Sequence, residues 1–339
     1  MNPDRLTVLV AAYNEAASLP VLHPRILSAL DALAGFDTRV LYVDDGSRDA
    51  TWTVLQQFAA RDTRVSVLRL SRNFGKEAAL TAGLDRIEDS AVVILDADGQ
   101  DPPELIGQFV AKWREGFDDV YGTRIEREGE GWIKRATAHV FYRVIGRLSN
   151  TPIPADTGDF RLLSPRAVAA LRELRERHRF MKGLFGWIGF NRTSIAYQRE
   201  SRLAGASKFN LWRLWNFAIE GITSFSTAPL RLSTYLGVLT ALVAFVYGIW
   251  IIVKAMLWGD PVAGWPTMMS VILFLGGTQL VALGLIGEYL GRLYEESKRR
   301  PLYLIDEWHP ATGVSSELVS QTEGGSHAQR TAPAPGESA

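Results

Sequence analysis

The first 124 residues of this 339-residue chain alternate between short apolar runs and helical patterns, and this alternation restricts the possible folds more than any other feature. The predicted strands are Leu6–Ala12, Val40–Val43, Val65–Leu70, Ala91–Leu95 and Asp119–Thr123. The predicted helices between them are Ser18–Leu33, Thr51–Ala60, Glu77–Ile87 and Pro103–Arg114. Apolar strands that alternate with helices predict an α/β domain with a mainly parallel, Rossmann-like sheet covered on both faces.

Three of these strands end in polar residues. The first leads into Tyr13-Asn14-Glu15, the second ends in Asp44-Asp45-Gly46-Ser47, and the fourth ends in Asp96-Ala97-Asp98. Ligands of open parallel sheets bind outside the carboxyl ends of the strands. We therefore expect the three groups to converge on one crevice.

Asp96 and Asp98 form the most informative of these groups. In an extended chain alternate residues point to the same side, so both carboxylates can face one ligand. Such a pair repels itself unless a cation lies between the two groups, and hard oxygen ligands suit Mg²⁺ or Mn²⁺. We expect that ion to be shared with a diphosphate, where it neutralises charge on the leaving group. Solvated turn carboxylates are the alternative, which the apolar strand before Asp96 disfavours.

Two further groups extend the predicted crevice. A carboxylate at Asp44 or Asp45 can accept hydrogen bonds from a nucleobase or ribose, although helix capping is the alternative and fits Asp49 better. The second group opens a helix after the third strand, where a helix N-terminus with basic residues favours an anion. Its members are Arg72, Asn73, Gly75 and Lys76.

The region between residues 119 and 202 is less regular and contains many arginines. We expect an amphipathic helix around Trp132–Leu148, a loop at Pro154–Arg161, a helix near Ser164–Glu173 and an aromatic stretch at Phe180–Phe190. Basic residues beside an acidic crevice suit an anionic substrate held with a cation, and a solvated surface is the alternative.

The composition changes near residue 232. Leu232–Val253 and Pro266–Gly287 carry no formal charge, and each is long enough to cross a membrane, which predicts a two-helix transmembrane hairpin over residues 232–290. The linker between the spans has one basic residue, Lys254, whereas basic residues flank the outer ends of the hairpin, so the catalytic domain and both termini are expected on the cytoplasmic side. These flanking residues are Arg231, Arg292, Lys298, Arg299 and Arg300. Two buried soluble helices are the alternative, which the charge depletion disfavours.

The remaining segments follow from this assignment. Residues 1–208 form the predicted cytoplasmic catalytic domain, and residues 209–231 form an amphipathic segment at the membrane interface or, as an alternative, packed on the soluble domain. Residues 291–311 are a predicted juxtamembrane segment. Residues 312–339 have almost no large apolar side chains and are expected to be disordered.

The overall composition excludes several classes of function. There are 37 basic and 37 acidic residues, a balance that argues against a nucleic-acid-binding protein. The chain has no cysteine, which excludes thiol nucleophiles, disulfides and cysteine-bound metals. The first residues lack the apolar region of a secretory signal, so we expect the bulk of the protein in the cytoplasm.

An ordered set of motifs resembles glycosyltransferase family 2, and within it the polyprenyl-phosphate sugar transferases of the bactoprenol glucosyltransferase and dolichyl-phosphate mannose synthase group. The resemblance runs from about Leu6 to about Ile305, and Gly99 departs from it where many relatives carry a bulkier apolar residue. The matching elements are Tyr13-Asn14-Glu15, Val43–Ser47, Ser71–Lys76, Asp96–Glu104, Asp156–Arg161, Ala204–Lys208 and Gly287–Arg292.

The resemblance implies a GT-A fold and inverting transfer of a sugar from a nucleotide-diphosphate sugar to a polyprenyl phosphate at the inner membrane. The nucleotide contacts that it implies are Tyr13, Asn14, Glu15, Asp44, Asp45, Lys76 and Asp96. The implied ligands of Mg²⁺ or Mn²⁺ are Asp96, Asp98 and Gln100, with Asp98 also counted as catalytic.

The acceptor phosphate is already anionic, so its oxygen can attack without a strong base when it is well positioned. A carboxylate is expected to assist it, and Asp156 is slightly favoured over Asp159, with a loop cap as the alternative for either. Phosphates are expected to bind forked or basic side chains, although each of these could instead be a surface charge or a lipid headgroup contact. The candidates are Arg124, Arg135, Arg202 and Lys208.

Several alternatives stay open. UDP-glucose is the favoured donor, and GDP-mannose, a UDP-N-acetylhexosamine or a UDP-aminopentose are the others. A processive polysaccharide synthase is disfavoured because the sequence lacks further spans and a Gln-x-x-Arg-Trp motif. A non-catalytic membrane scaffold is disfavoured by the intact Asp96 and Asp98. The aromatic segment and the hairpin could also mediate a homo-oligomer, either a dimer or a tetramer.

Overall fold

The computed structural model describes residues 4–124, 157–177, 179–198 and 264–311, together with scattered helical residues between 235 and 257. Its strands are β1 Asp4–Ala12, β2 Phe36–Asp44, β3 Val65–Leu70, β4 Ala91–Asp96, β5 Asp119–Arg124, β6 Thr157–Leu163, β7 Arg192–Tyr197 and β8 Ile305–His309. Its helices are α1 Leu19–Asp31, α2 Thr51–Arg61, α3 Lys76–Leu84, α4 Ile106–Arg114, α5 Pro165–Glu173, α6 Met181–Trp187 and α7 Trp265–Ser297, with a 3-10 turn at Pro103–Leu105.

The described strands form one eight-stranded sheet in the order β7-β5-β6-β4-β1-β2-β3-β8. Strands β3, β2, β1 and β4 are mutually parallel, as the alternation of strands and helices predicted. Strand β6 pairs antiparallel with β4 and β5, whereas β8 pairs antiparallel with β3 at the edge. The sheet is therefore mainly parallel, with two strands running against the rest.

Each face of the sheet is covered by helices. Leu6, Val8 and Val10 of β1 point to one face, where they pack with side chains of α1, α2 and α4. Leu9 points to the other face, towards α3, α5 and α6. The period-two alternation of β1 therefore places apolar side chains in two cores, which explains why its sequence is apolar without interruption.

The prediction of a loop at Pro154–Arg161 is wrong from Thr157 onwards, because Thr157–Leu163 forms the strand β6 in the interior of the sheet. Its buried Arg161 explains why the stretch reads as polar. The Arg161 guanidinium pairs with the buried Asp119 carboxylate at 2.9 Å and lies 3.7 Å from the centre of the Phe185 ring. A polar residue inside the strand is thus neutralised by a partner on the neighbouring strand.

Strand β8 lies within residues 291–311, for which the sequence predicted a juxtamembrane segment and no strand. Ile305–His309 instead extends the sheet beyond β3, and the Ser71 N–H donates to the Leu304 carbonyl at 2.9 Å. The adjoining helix α7 contains the predicted span Pro266–Gly287. Among the described residues, no helix meets both the length and the apolarity needed to cross a membrane.

Several predicted segments lie outside the described residues. These are the helix around Trp132–Leu148, the interfacial segment 209–231, much of the span Leu232–Val253 and the tail 312–339.

Candidate active site

A cavity of about 280 Å³ opens at the carboxyl ends of β1, β2 and β4, where the sequence predicted a ligand crevice. We call it the acidic crevice, since four carboxylates line it beside one lysine. It brings together six of the predicted site residues. The lining residues are Ala11, Ala12, Tyr13, Glu15, Asp45, Asn73, Gly75, Lys76, Ala79, Asp96, Ala97 and Asp98.

The register of the sheet explains this convergence. Asp96 pairs with Ala11 of β1, and Asp44 pairs with the next residue, Ala12. The ends of the three strands are therefore nearly level, so that the polar residues after them meet at the same edge of the sheet.

The residues after β1 and β2 are tied to each other. Asn14 adopts a left-handed conformation with φ 57°, its N–H donates to the Ser47 hydroxyl at 2.9 Å, and its side-chain oxygen accepts from the Arg48 N–H. The Glu15 N–H donates to the Thr51 hydroxyl at 2.8 Å. The two strand ends thus form one fixed wall of the crevice, with the Tyr13 side chain exposed beside it.

Asp45 holds the segment that opens α3. Its two carboxylate oxygens accept from the Phe74 N–H at 2.7 Å and the Gly75 N–H at 2.9 Å. Burial raises the pKa of Asp45 despite these hydrogen bonds. The structure gives Asp45 a definite positioning role, and its predicted contact with a nucleotide stays a prediction.

Asp44 lies deeper and has hydrogen-bonding capacity to spare. Its side chain is fully buried, one oxygen accepts from the Ser47 N–H, and Oδ2 lies 3.6 Å from the Arg69 guanidinium. Within the described parts of the chain, Oδ2 accepts no hydrogen bond, and burial raises the pKa of this carboxyl. An N–H donor of a ligand would satisfy that oxygen.

Lys76 connects two strands across the crevice. Its ammonium lies 2.5 Å from Asp96 Oδ1 and 2.5 Å from Asp159 Oδ2. The pairing agrees with the antiparallel register of β6, in which Arg161 lies opposite Ile94 and hence Asp159 lies near Asp96. Sequence reasoning placed Lys76 at an anion site, whereas in this structure it neutralises two carboxylates.

Asp159 is the candidate acceptor carboxylate that the structure describes. Burial would raise its pKa, but the attraction of Lys76 and Lys182 outweighs burial and lowers the pKa of Asp159 to about 2. Its Oδ1 is buried and accepts no hydrogen bond from the described residues. The carboxylate is therefore ionised at neutral pH, and its Oδ1 is an unsatisfied acceptor with almost no exposed area.

Two charged neighbours of the Lys76–Asp159 ion pair, Glu77 and Lys182, were not predicted from the sequence. Burial first, and the Asp159 charge second, raise the pKa of Glu77 to about 7. Burial lowers the pKa of Lys182, at the start of α6. Only the tertiary fold brings Glu77 and Lys182 to Asp159, and the position of Glu77 beside Lys76 was the one available signal.

A second chain of contacts continues from Asp98 to the predicted phosphate ligand Arg124. Asp98 Oδ1 accepts from the Gln100 N–H at 3.2 Å, and Gln100 itself is buried. The Tyr197 hydroxyl donates to the buried Asp101 carboxylate at 2.5 Å and accepts from Arg124 Nε at 3.5 Å. Tyr197, which no motif pointed to, fixes Arg124 next to the loop that follows Asp98.

The side chains of the acidic crevice supply only part of the coordination shell that a divalent metal ion needs. Among the described residues, no group of three or more acidic or histidine side chains is arranged to hold a metal. Asp96 and Asp98 supply two hard carboxylate ligands at one strand end, and Mg²⁺ is often bound by one or two carboxylates together with substrate phosphates. The residues therefore fit an ion that completes its coordination with a bound diphosphate.

Four predicted residues cannot be placed in this geometry. Asp156, Arg135, Arg202 and Lys208 lie outside the described residues.

Comparison with known proteins gives the family. A model of glycosyl transferase family 2 matches residues 7–172, and a model of the GtrB C-terminal hairpin matches residues 228–293. An uncharacterized glycosyltransferase of Synechocystis sp. is 48% identical over 89% of this chain and 95% of its own length. The bactoprenol glucosyl transferase of Shigella phage SfX is 43% identical over 89% of this chain and 98% of its own length.

A solved structure resembles the fold more distantly. Glucosyl-3-phosphoglycerate synthase from Mycobacterium tuberculosis, in complex with Mn²⁺, UDP and phosphoglyceric acid, is 18% identical with a TM-score of 0.45, covering 65% of this chain and 76% of that one. The identities to the curated relatives and their near-complete coverage settle the classification. This chain is a glycosyltransferase that belongs to glycosyl transferase family 2 and carries the GtrB-type C-terminal hairpin region.

Proposed function

We propose that this chain transfers a sugar, with glucose favoured, from a UDP-sugar to undecaprenyl or another polyprenyl phosphate, with inversion at the anomeric carbon. The observation that carries the proposal is the 43% identity, over almost the whole chain, to a protein named bactoprenol glucosyl transferase. The acidic crevice supports it, since its residues match the chemistry that such a transfer needs.

The donor would bind along the strand ends. The unsatisfied Oδ2 of Asp44 would accept an N–H of the nucleobase, and Tyr13, Asn14 and Glu15 would form the wall beside it. Asp96 and Asp98 would hold Mg²⁺ or Mn²⁺, with Gln100 next to them, and that ion would neutralise charge on the departing diphosphate. Asp45 would keep the opening of α3 in place through Phe74 and Gly75.

The acceptor would approach from the side of β6. A phosphate oxygen attacks the anomeric carbon, and the bond from that carbon to the donor diphosphate breaks with its electron pair, so a nucleoside diphosphate leaves. Asp159 would orient the acceptor through its unsatisfied Oδ1. Its low pKa makes it a weak base, which suits an acceptor phosphate that is already anionic and needs no proton abstraction. Arg124, fixed by Tyr197, would bind an acceptor or donor phosphate.

Lys76 has a place in this sequence of events. With its ammonium on Asp96 and Asp159, it compensates the two carboxylates before substrates arrive. Asp96 would be one of the two carboxylates that hold the cation, and the Lys76 ammonium, at the predicted anion site at the start of α3, would then bind the diphosphate. Asp156, Arg135, Arg202 and Lys208 are proposed to add contacts to the acceptor and donor.

The location follows from the hairpin region. Residues 232–253 and 266–287 are proposed as two membrane spans that anchor the chain in the inner membrane, with both termini in the cytoplasm. This arrangement would present the crevice to a lipid phosphate at the membrane surface. A homo-oligomer formed through the hairpin is part of the same proposal.

The experiment is a transfer assay with the full chain in detergent, undecaprenyl phosphate, a divalent cation and a panel of labelled nucleotide sugars, read by lipid extraction. We expect lipid-linked label from UDP-glucose and little from GDP-mannose. If only another donor gave lipid-linked label, the proposed sugar would be wrong. If no donor gave lipid-linked label, the proposed function would be rejected.

Asp98→Ala tests the site within the same assay. Removal of a carboxylate that holds the cation should lower transfer by about a thousand-fold, equivalent to about 4 kcal/mol of transition-state stabilisation. EDTA should stop the wild-type reaction and Mg²⁺ or Mn²⁺ should restore it. Asp31→Ala, which removes an exposed carboxylate paired with Arg64, is the matched control and should retain activity. Near-normal transfer by Asp98→Ala would contradict the metal role.

A further inference from the structure

A second cavity, of about 480 Å³, lies where the end of α7 meets the catalytic domain. Its described lining contains four guanidinium groups and two carboxylates. We call it the basic pocket. Its lining residues are Asp85, Arg175, Arg177, Glu296, Arg299, Arg300, Pro301, Leu302 and Tyr303.

The walls of the basic pocket are fixed by polar contacts. The Asp85 carboxylate accepts from Arg175 at 2.7 Å and from the Tyr303 hydroxyl at 2.8 Å. Arg177 donates from its backbone N–H to Glu296 at 3.0 Å and from its guanidinium to the Arg300 carbonyl at 2.9 Å. The pocket is thus built by three separate parts of the chain held against each other.

The charges of the basic pocket are unevenly compensated. Asp85 is paired with the Arg175 guanidinium at 2.7 Å, whereas Glu296 accepts the uncharged backbone N–H of Arg177. A hydrogen bond from Lys298 first, and the charges of Arg177 and Arg300 after it, lower the pKa of the neighbouring Glu295 carboxyl. The lining residues of the pocket themselves are four arginines against two carboxylates. Uncompensated guanidinium groups that share a cavity repel each other and favour an anion between them. Their planar donor forks fit phosphate oxygens in particular.

The backbone of Arg299 gives an independent indication. Arg299 has φ 48°, and its N–H caps α7 by donating to the Glu296 carbonyl. Helices commonly end in this left-handed conformation, but glycine or asparagine usually occupies the position because a Cβ strains it. In this chain an arginine occupies the position, and it is one of the residues that line the cavity.

The pocket is distinct from the acidic crevice. Asp85 follows the last residue of α3, whereas Lys76 in the acidic crevice is its first residue. A helix of nine residues is roughly 13 Å long, so an acceptor phosphate in the basic pocket could not reach the donor. The ligand of the basic pocket is therefore a different anion from the acceptor.

We propose that the basic pocket binds the phosphate-bearing headgroup of an anionic membrane phospholipid. This rests on the proposed membrane anchor, because α7 carries the second proposed span and continues beyond it to the pocket. The span ends at Gly287 and α7 at Ser297, so the pocket lies about 15 Å along the helix from the end of the span. Pro301 and Leu302 supply an apolar wall beside the arginines for the glycerol part of such a headgroup. Basic residues on the cytoplasmic side of a membrane span attract anionic lipids in general, and here they line a formed cavity.

The test uses the full chain in a neutral detergent and measures Tm as short-chain phosphatidylglycerol, short-chain phosphatidylcholine or inorganic phosphate is added. We expect saturable stabilisation by phosphatidylglycerol alone. An equal response to phosphatidylcholine would show a general lipid effect, and an equal response to inorganic phosphate would show a site for a free anion. Either result would overturn the proposal.

Two variants locate the effect. Arg300→Ala should weaken the apparent affinity for phosphatidylglycerol by about ten-fold, as expected for loss of a charge-assisted hydrogen bond. Arg299→Gly should weaken it likewise, but it relieves the left-handed strain and should not lower the Tm measured without lipid. Arg61→Ala, which removes one exposed positive charge at the end of α2, is the control. An undiminished lipid response in both pocket variants would refute the assignment.

Failure of this inference is separable from failure of the proposed function. Asp98→Ala should lose sugar transfer and keep its lipid response, whereas Arg299→Gly should have the ten-fold weaker affinity for phosphatidylglycerol and keep transfer in detergent with saturating substrates. Loss of both properties in Arg299→Gly would show that the basic pocket belongs to the transfer site, which would overturn the proposal of a separate ligand.

Discussion

Helix α3 separates two pockets of opposite character. At its first residue lies the acidic crevice, whose charges the protein largely compensates itself: Lys76 pairs with Asp96 and Asp159, and backbone N–H groups satisfy Asp45. Just beyond its last residue lies the basic pocket, which four arginines and two carboxylates line. Carboxylates near the start of a helix and cations near its end are also the arrangement that the helix dipole favours.

The difference indicates two modes of ligand binding. Under the proposed function, a metal ion at Asp96 would compete with the Lys76 ammonium, so its binding would be coupled to a rearrangement of Lys76. A ligand of the basic pocket only has to replace water. Three predictions, from the largest expected effect to the smallest, test whether the internal compensation at the acidic end is real.

Gly46→Ala should damage the acidic end through its backbone. Gly46 has φ 64°, and a Cβ there would lie 2.4 Å from the Arg72 carbonyl carbon, so the turn after β2 and the segment before α3 could no longer touch. We expect the free energy of unfolding to fall by about 3 kcal/mol, measured by urea denaturation.

Gly35→Ala provides the control for conformation alone, because Gly35 has φ 85° and a methyl group added there would meet no atom within 4 Å. It should cost about 1 kcal/mol. Equal costs for the two variants would show that the close approach at Gly46 contributes nothing. The lipid response of the basic pocket should persist in the folded fraction of both.

Lys76→Met should leave Asp96 and Asp159 without their shared cation. We expect the metal-free protein to lose about 2 kcal/mol, since two partly buried carboxylates then face each other. Mn²⁺ should stabilise this variant more than it stabilises the wild type, because the ion has no ammonium to displace. Equal Mn²⁺-induced changes in Tm would contradict the compensating role of Lys76.

Glu77→Gln should change the pH dependence of stability. The pKa of Glu77 is about 7 in the folded chain against an ordinary value of 4.5, so the folded state holds a proton that the unfolded state has lost between these values. Stability contributed by the protonated group is therefore present below about pH 4.5 and is lost as pH rises to 7.

The glutamine cannot ionise, so the variant should gain about 1 to 2 kcal/mol over the wild type at pH 8 and nothing at about pH 4.5. Thermal unfolding in EDTA across this range measures the difference. A gain that does not depend on pH would show that the burial of Glu77 is unrelated to its charge.

Much of the parallel half of the sheet could be predicted from the sequence. The predicted and observed bounds of β3 are the same, and the observed β1, β2 and β4 are only longer than the predicted strands. These strands could be predicted because strands buried on both faces appear in a sequence as continuous apolar runs. Strands β6, β7 and β8 were missed. Each mixes polar and apolar residues, and β7 and β8 lie at the edges, where burial imposes less pattern.

The part of the site that lies at the ends of the parallel strands could be predicted, and the part that depends on antiparallel or edge strands could not. Asp44, Asp96 and Asp98 follow recognisable strands, so the rule for carboxyl ends brings them together. The partnership of Lys76 with Asp159 depends on the register of β6, an antiparallel strand whose position the sequence does not reveal. Tyr197, on an edge strand, was missed for the same reason.

Strand β8 has a practical consequence for anyone who wishes to prepare the catalytic domain alone. A chain cut before the hairpin would lose Ile305–His309 as well, and β3 would then present a bare row of N–H and C=O groups to its surroundings. Exposed edges of this kind template pairing with other chains. Such a fragment would tend to aggregate for a reason unrelated to lipid, and fusing residues 301–311 behind the domain through a flexible linker would be the way to keep it monodisperse.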